Sequence, residues 1–199
     1  TASDFDGDGR AEFAAAGLGS YTVFDLDCVE GGDASRCGTG GTGGILWSQS
    51  SQDNSSSVTG SSIFDFEGDG PAEAIYADEC YLRVYRGSTG EVIFSQARSS
   101  GTTYENPVVA DVDGDYNSEL ITSVNDYHSI TCTSPDPLFP SATHTRGHGI
   151  RVFADASDLW VGSRPVWNQH AYAVTHVGDA AQIPLATDVD PNWTVDGLN

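Results

Sequence analysis

At 199 residues, with 38% hydrophobic and 10% aromatic content, the chain is long enough to bury a core as one domain and too apolar to stay disordered. Its 29 acids stand against 8 bases, all of them arginine, for a formal charge of -21, which excludes binding to nucleic acid or to an anionic membrane through a basic patch. No apolar run reaches the roughly 18 residues of a membrane span. The chain begins almost inside its first motif, so we expect a processed product or a segment of a longer polypeptide.

That first motif is Asp4-Phe5-Asp6-Gly7-Asp8-Gly9-Arg10-Ala11-Glu12. Strand-like runs follow at 12–16, at 21–25 and, after a Gly/Cys-rich insertion, at 45–48. A polar connection over 50–57 leads to the second copy, Asp65-Phe66-Glu67-Gly68-Asp69-Gly70-Pro71-Ala72-Glu73. Behind it come runs at 73–77 and 81–85, a tight Ser88-Thr89-Gly90 turn, and a run at 91–94. After a second polar connection, 99–103, the run 106–110 opens the third copy, Asp111-Val112-Asp113-Gly114-Asp115-Tyr116-Asn117-Ser118-Glu119. A run at 119–124 follows, then a long polar insertion from Asn125, then runs at 149–153 and 159–161. A degenerate fourth start at 173–179 has lost most of its carboxylates and is expected to hold no metal.

Repetition at 4, 65 and 111 marks a supersecondary unit that buries its face only against its neighbours. Each loop joins a first strand to a second, with two more to follow. The expected fold is all-β, a β-propeller of four-stranded antiparallel blades. The single segment 1–199 would hold about three and a half blades, starting near 4, 65, 111 and 176.

In every copy, carboxylates occupy positions 1, 3, 5 and 9 and glycine occupies position 4, so a tight turn gathers four carboxylates about one point. That is favourable only around a cation, and all-oxygen donors in a flexible shell favour calcium over magnesium. The expected ligands are Asp4, Asp6, Asp8 and Glu12, then Asp65, Glu67, Asp69 and Glu73, then Asp111, Asp113, Asp115 and Glu119. The position-7 carbonyls of Arg10, Pro71 and Asn117 complete the shells of about three Ca2+ ions. An EF-hand would need a bidentate Glu at position 12 between helices, but Ala15, Tyr76 and Thr122 stand there among strand-like runs. Solvated acidic turns without metal have no use for four carboxylates repeated in register.

The Asp-x-Asp-Gly-Asp-Gly-x-x-Glu loop between strands resembles the FG-GAP/VCBS repeat of integrin-α-type propellers and of many secreted bacterial proteins, over nearly the whole chain. The resemblance implies calcium at the matching positions and an extracellular setting. Glu67 replaces the usual Asp and Tyr116 the usual second Gly, which implies strain in the third loop. The scaffold hosts adhesion, ligand binding and occasional enzymes, so it does not fix the chemistry by itself.

Four cysteines without zinc or CxxC spacing predict two disulfides and an oxidising compartment. In a meander, first-to-second and third-to-fourth turns share one face, and second-to-third turns lie on the other. Cys28 and Cys37 fall in one third-to-fourth insertion, and Cys80 and Cys132 in second-to-third connections of consecutive blades. Only the pairs Cys28–Cys37 and Cys80–Cys132 avoid bridging opposite faces.

Other constellations carry less. His144 and His148 flank Gly147 and follow Pro140, which reads as a polar loop rather than a metal site, and His128 and His170 join them only if the fold brings them close. Trp160, Arg164, Trp167, Asn168, Gln169 and His170 suit stacking on a sugar, against the plainer reading that the tryptophans pack between blades. Gly38 to Gly44 lacks the lysine of a phosphate loop, and Asn54-Ser55-Ser56 and Asn192-Trp193-Thr194 match glycosylation acceptors. No nucleophile context supports a catalytic assignment.

The sequence therefore predicts a calcium-stabilised propeller segment, secreted or at the cell surface, with structural, adhesive or binding roles rather than catalytic ones. The rival is the scaffold of a secreted carbohydrate-active enzyme or glycan-binding protein, whose acid and base would come from Asp126, Asp155, Asp158 and Asp179. Unclosed blades leave apolar faces and strand edges to be covered by a protein partner, a second copy or further parts of the same polypeptide. A glycan is the other ligand class expected.

Overall fold

A computed structural model describes residues 1–29, 35–38, 43–55, 60–101, 105–127, 130–167 and 172–191. Among them, eleven strands form three antiparallel sheets, and there is no α-helix. The first sheet is β1 (Ala2–Ser3), β2 (Glu12–Gly17), β3 (Ser20–Phe24) and β4 (Ile45–Ser50) in that order. The second repeats the meander with β5 (Ser61–Phe64), β6 (Glu73–Ala77), β7 (Tyr81–Tyr85) and β8 (Val92–Ala97). The third has three strands, β9 (Val108–Ala110), β10 (Glu119–Asn125) and β11 (His148–Phe153). Ala2 and Ser3 pair with Phe13 and Glu12 and give the first sheet a short first strand.

The repeat extends to register. Ser3 faces Glu12, Phe64 faces Glu73 and Ala110 faces Glu119, so the acidic loop closes the same hairpin three times. The first two sheets also share a register shift, between Val23 and Phe24 in one and between Val84 and Tyr85 in the other.

The sheets pack in chain order through two apolar clusters. Between the first and second, Tyr21 stacks on Tyr76 with ring centroids 4.6 Å apart, and Trp47 on Tyr85 at 5.6 Å. Between the second and third, Phe66 meets Trp160 at 4.5 Å and Phe94 meets Phe153 at 5.5 Å. The middle sheet is covered on both sides, and β6 and β7 are buried at every residue. Alternation survives in β2, where Phe13 and Ala15 face solvent.

Two expected elements are not strands. The run 159–161 is irregular, because Trp160 turns into the second cluster and the Val161 amide donates to Phe66 O at 2.9 Å. The expected fourth unit holds a 3-10 turn, Val174–His176. The guanidinium of Arg164 takes the carbonyls of Val174 (2.7 Å) and Val177 (2.5 Å), groups a strand would offer to a neighbour.

Both disulfides join the expected pairs, Cys28–Cys37 and Cys80–Cys132. Beside the second lies a buried ion network. Arg83 on β7 donates Nε and Nη2 to the two oxygens of Asp136, at 2.8 and 3.0 Å, and Nη1 to Asp78. Ser95 Oγ also donates to Asp136, and Asp78 receives the amides of Gln52, Cys80 and Tyr81. Arg98 binds the carbonyls of Ala77, Asp78 and Ser123. The described parts of the two polar connections, 50–55 and 99–101, unremarkable as sequence, thus border this network, with Asp53, Ser99 and Ser100 fully buried.

Removing one member of such a pair strands a buried charge, at a cost of about 3–5 kcal/mol. Asp136→Ala should lose about that much stability in denaturant unfolding. Burial alone would push the Asp136 carboxyl up, but the hydrogen bonds and charge of Arg83, with Ser95, hold it below its ordinary value. The folded value lies below the unfolded one, so this contribution is present above about pH 4 and is lost as pH falls through the folded value. Acid unfolding followed by circular dichroism should show that limb in the native chain and a shallower one in Asp136→Ala.

Candidate metal-binding loops

Each loop is wound by its first aspartate. Asp4 accepts the amides of Gly7 (2.7 Å) and Gly9 (2.9 Å), Asp65 those of Gly68 (2.7 Å) and Gly70 (2.8 Å), and Asp111 those of Gly114 (2.7 Å) and Tyr116 (3.2 Å). Bringing those amides inward requires a left-handed backbone at positions 4 and 6. Five of the six residues are glycine, and Tyr116, at φ 75, is the exception.

The ninth residue closes the loop from the other side. Glu12, Glu73 and Glu119 are buried, and each accepts the amide of position 2, from Phe5 (2.7 Å), Phe66 (3.1 Å) and Val112 (2.8 Å). Burial pushes Glu12 up to about 7 and Glu73 up to about 8, against the backbone hydrogen bond and with the neighbouring acids adding to the rise. Glu119 is raised for the same reason.

The loops converge on three carboxylate groups, each with its ligand atoms within 4.8 Å of one another: Asp4, Asp6 and Asp8; Asp65, Glu67 and Glu73; and Asp111, Asp113 and Asp115. In the first and third, Oδ1 of positions 3 and 5 accepts a loop amide, so the second oxygen is left for another partner. The second differs because Glu67 is longer than Asp, and there Glu73 joins the group while Asp69 stands outside it. Glu12 and Glu119 likewise lie outside their groups. Arg10, Pro71 and Asn117 hold the seventh place of each loop, and a Cβ on Gly7 would stand 3.0 Å from the Pro71 ring, so the first two loops are neighbours. The segment around Val161 and Gly162 continues the row, touching Gly68 of the second loop and Tyr116 of the third.

A basic side chain reaches the first loop. Arg36, beside Cys37, donates to Asp6 and lies 3.6 Å from Asp8, while Arg10 pairs with Asp27 at 2.6 Å. Sequence reasoning did not single out Arg36; its place next to a cysteine of the insertion that faces the loops was the available signal.

Among the described residues, the other candidates do not assemble. His144 Nε2 contacts Arg98 O and its ring meets Tyr81 edge-on, while His148 opens β11 and is exposed. Cys80 and Cys132 lie beside His144, but both sulfurs are in the disulfide. Trp160 packs between sheets, Trp167 stacks on Tyr172 at 4.8 Å, and Arg164 is bound to Asp179. His128, Asn168, Gln169, His170, Ser56 and 192–194 lie outside the described residues. Asp155 accepts the amides of Ser157 and Leu159, Asp179 holds Arg164, and Asp126 lies 3.7 Å from Arg146. Asp158, at φ 51, sits in the turn that follows.

No protein-family model matches the chain, and no curated protein matches it. Among solved structures it is similar to the V. cholerae biofilm matrix protein Bap1, with 29% sequence identity and a TM-score of 0.65. The similarity covers 92% of this chain and 26% of that one, so the present chain spans about a quarter of the length of its neighbour.

Proposed function

We propose that the chain is part of a calcium-stabilised, extracellular β-propeller that serves a structural or adhesive role. The observation that carries this reading is the threefold recurrence of one hairpin, in register, with its loop wound by the same Asp and closed by the same Glu. The donors are all oxygen, and the ion-free loops hold carboxylates that burial and mutual repulsion disfavour, which is the electrostatic need a divalent cation meets. Asp4, Asp6 and Asp8, then Asp65, Glu67 and Glu73, then Asp111, Asp113 and Asp115 would form the centres of three sites. The position-7 carbonyls and remaining acids would complete them. Calcium's contribution is to organise each turn, so its binding energy becomes folding energy.

Support for the propeller comes from three meanders packed in chain order through interlayer aromatics. Support for an extracellular matrix role comes from the two disulfides and from the biofilm matrix neighbour. Among the described residues, the third sheet ends at an unpaired edge of β11, where Ile150 is 74% exposed. A further sheet of the same polypeptide, a second copy or a protein partner would cover that edge, with a glycan as the remaining ligand class.

Native mass spectrometry in millimolar calcium should show three bound ions, and chelation should lower the unfolding temperature. Each site held at about 100 times its Kd contributes about 2.7 kcal/mol. Unchanged mass and unfolding temperature in calcium would overturn the reading. Replacing Tyr116 by glycine removes a left-handed penalty of about 1–2 kcal/mol, so Tyr116→Gly should gain stability of that order and tighten the third site.

A further inference from the structure

Arg36 is the feature of the loops that the threefold repeat does not explain. Its guanidinium hydrogen-bonds Asp6 Oδ2 and stands 3.6 Å from Asp8 Oδ2. These are the oxygens of positions 3 and 5 that the loop's own amides leave over, since Oδ1 of Asp6 takes the Asp8 amide and Oδ1 of Asp8 the Arg10 amide. An entering cation needs the same lone pairs. The Asp6 side chain is 4% exposed, so bulk water is a poor alternative partner for it once the guanidinium is in place.

Arg36 is delivered by the β3–β4 insertion, which is held at two further points. The Cys28–Cys37 disulfide closes it, and Arg10 of the loop reaches out to Asp27 at its start. The second sheet has a tight turn in the equivalent place, where Arg86 faces Glu91 at 3.5 Å, away from the carboxylates of Asp65, Glu67 and Glu73. Among the described residues, no arginine pairs with the carboxylates of the second or third loop.

We infer that Arg36 is a built-in competing cation that makes the first loop the weakest and last-filled of the three metal sites. This rests on the calcium reading above. In the ion-free state the guanidinium neutralises Asp6 and Asp8 and keeps the loop wound. Calcium takes their free oxygens only by displacing Arg36, which releases the short strap at 35–38 from the loop. The first loop therefore responds at a calcium level where the other two are already filled, and the Cys28–Cys37 insertion is the part of the molecule that reports it.

The test is stepwise calcium loading of the whole chain followed by native mass spectrometry in calcium buffers. Asp8→Asn, which weakens the first loop alone, identifies its step. In the native chain two ions should bind first and the third at higher free calcium. Arg36→Gln should lower the midpoint of that third step about fivefold, the scale of one partly exposed ion pair. Arg36→Lys, which keeps the charge, should stay near the native midpoint. Arg86→Gln changes the net charge equally, away from the loops, and should leave the midpoint in place. Circular dichroism confirms that each variant is folded. Equal midpoints for all three ions in the native chain, or an Arg36→Gln third step that stays put or moves to higher calcium, would overturn the inference while leaving calcium binding intact. Absence of calcium at every step would instead overturn the calcium reading itself, and this inference with it.

Discussion

The structure depends on placing a buried carboxylate at the start of the second strand of each sheet and giving it one backbone amide to hold. Glu12, Glu73 and Glu119 occupy that place, each opposite the last residue of the preceding strand and each bonded to the amide of position 2. A buried carboxylate with a single such bond is costly, and burial pushes all three above the ordinary carboxylate range. The loop around it gathers further acids: three carboxylates converge in each copy, with the glutamate among them only in the second. The hairpin that sets the register is thus also the element that brings the acids together.

Strain and charge are segregated along each meander. The acidic loops form one row, linked by Gly7 against Pro71 and by the segment around Val161 and Gly162 against the second and third loops. The second-to-third connections carry the Cys80–Cys132 bridge and the Arg83–Asp136–Asp78 network. There the charges are paired within the protein and fully enclosed. Between the two lie aromatic stacks that fix the spacing of neighbouring sheets.

Much of this was legible in the residues because it is local. The loops, the hairpins around them and the meander order follow from a nine-residue pattern and the strand-like runs beside it, and the disulfide pairing follows from which turns share a face. What was not legible is long-range or polar. Leu159 to Val161 has a strand's composition, yet Trp160 gains more by filling the space between Phe66 and Phe94 than by extending an edge. Residues 173–179 echo a repeat start, but one guanidinium, Arg164, captures their carbonyls. Asp136 and Arg83 are 53 positions apart, and nothing in either neighbourhood announces the other. Four carboxylates were expected to gather in each loop; three lie within 4.8 Å of one another in each, and the second loop brings a different three together because Glu67 stands where the others have Asp.

The residue at position 2 ties each loop to its surroundings, and here the three copies part. Phe5 is fully buried in the cluster joining the first and second sheets, and Phe66 in the one joining the second and third. Its amide holds the closing glutamate while its ring sits in the interlayer core, so winding of the loop and packing of the next sheet are mechanically the same event. An ion that stiffens the first or second loop would on this geometry also stiffen the contact between sheets. In the third copy, Val112 is 54% exposed, and the same amide bond is made with no interlayer core behind it. The third loop is also the one that tolerates Tyr116 in a left-handed conformation. A loop whose winding is not coupled to the packing of a following sheet places a weaker demand on its own geometry, which explains why the departure from glycine is found there rather than at Gly9 or Gly70.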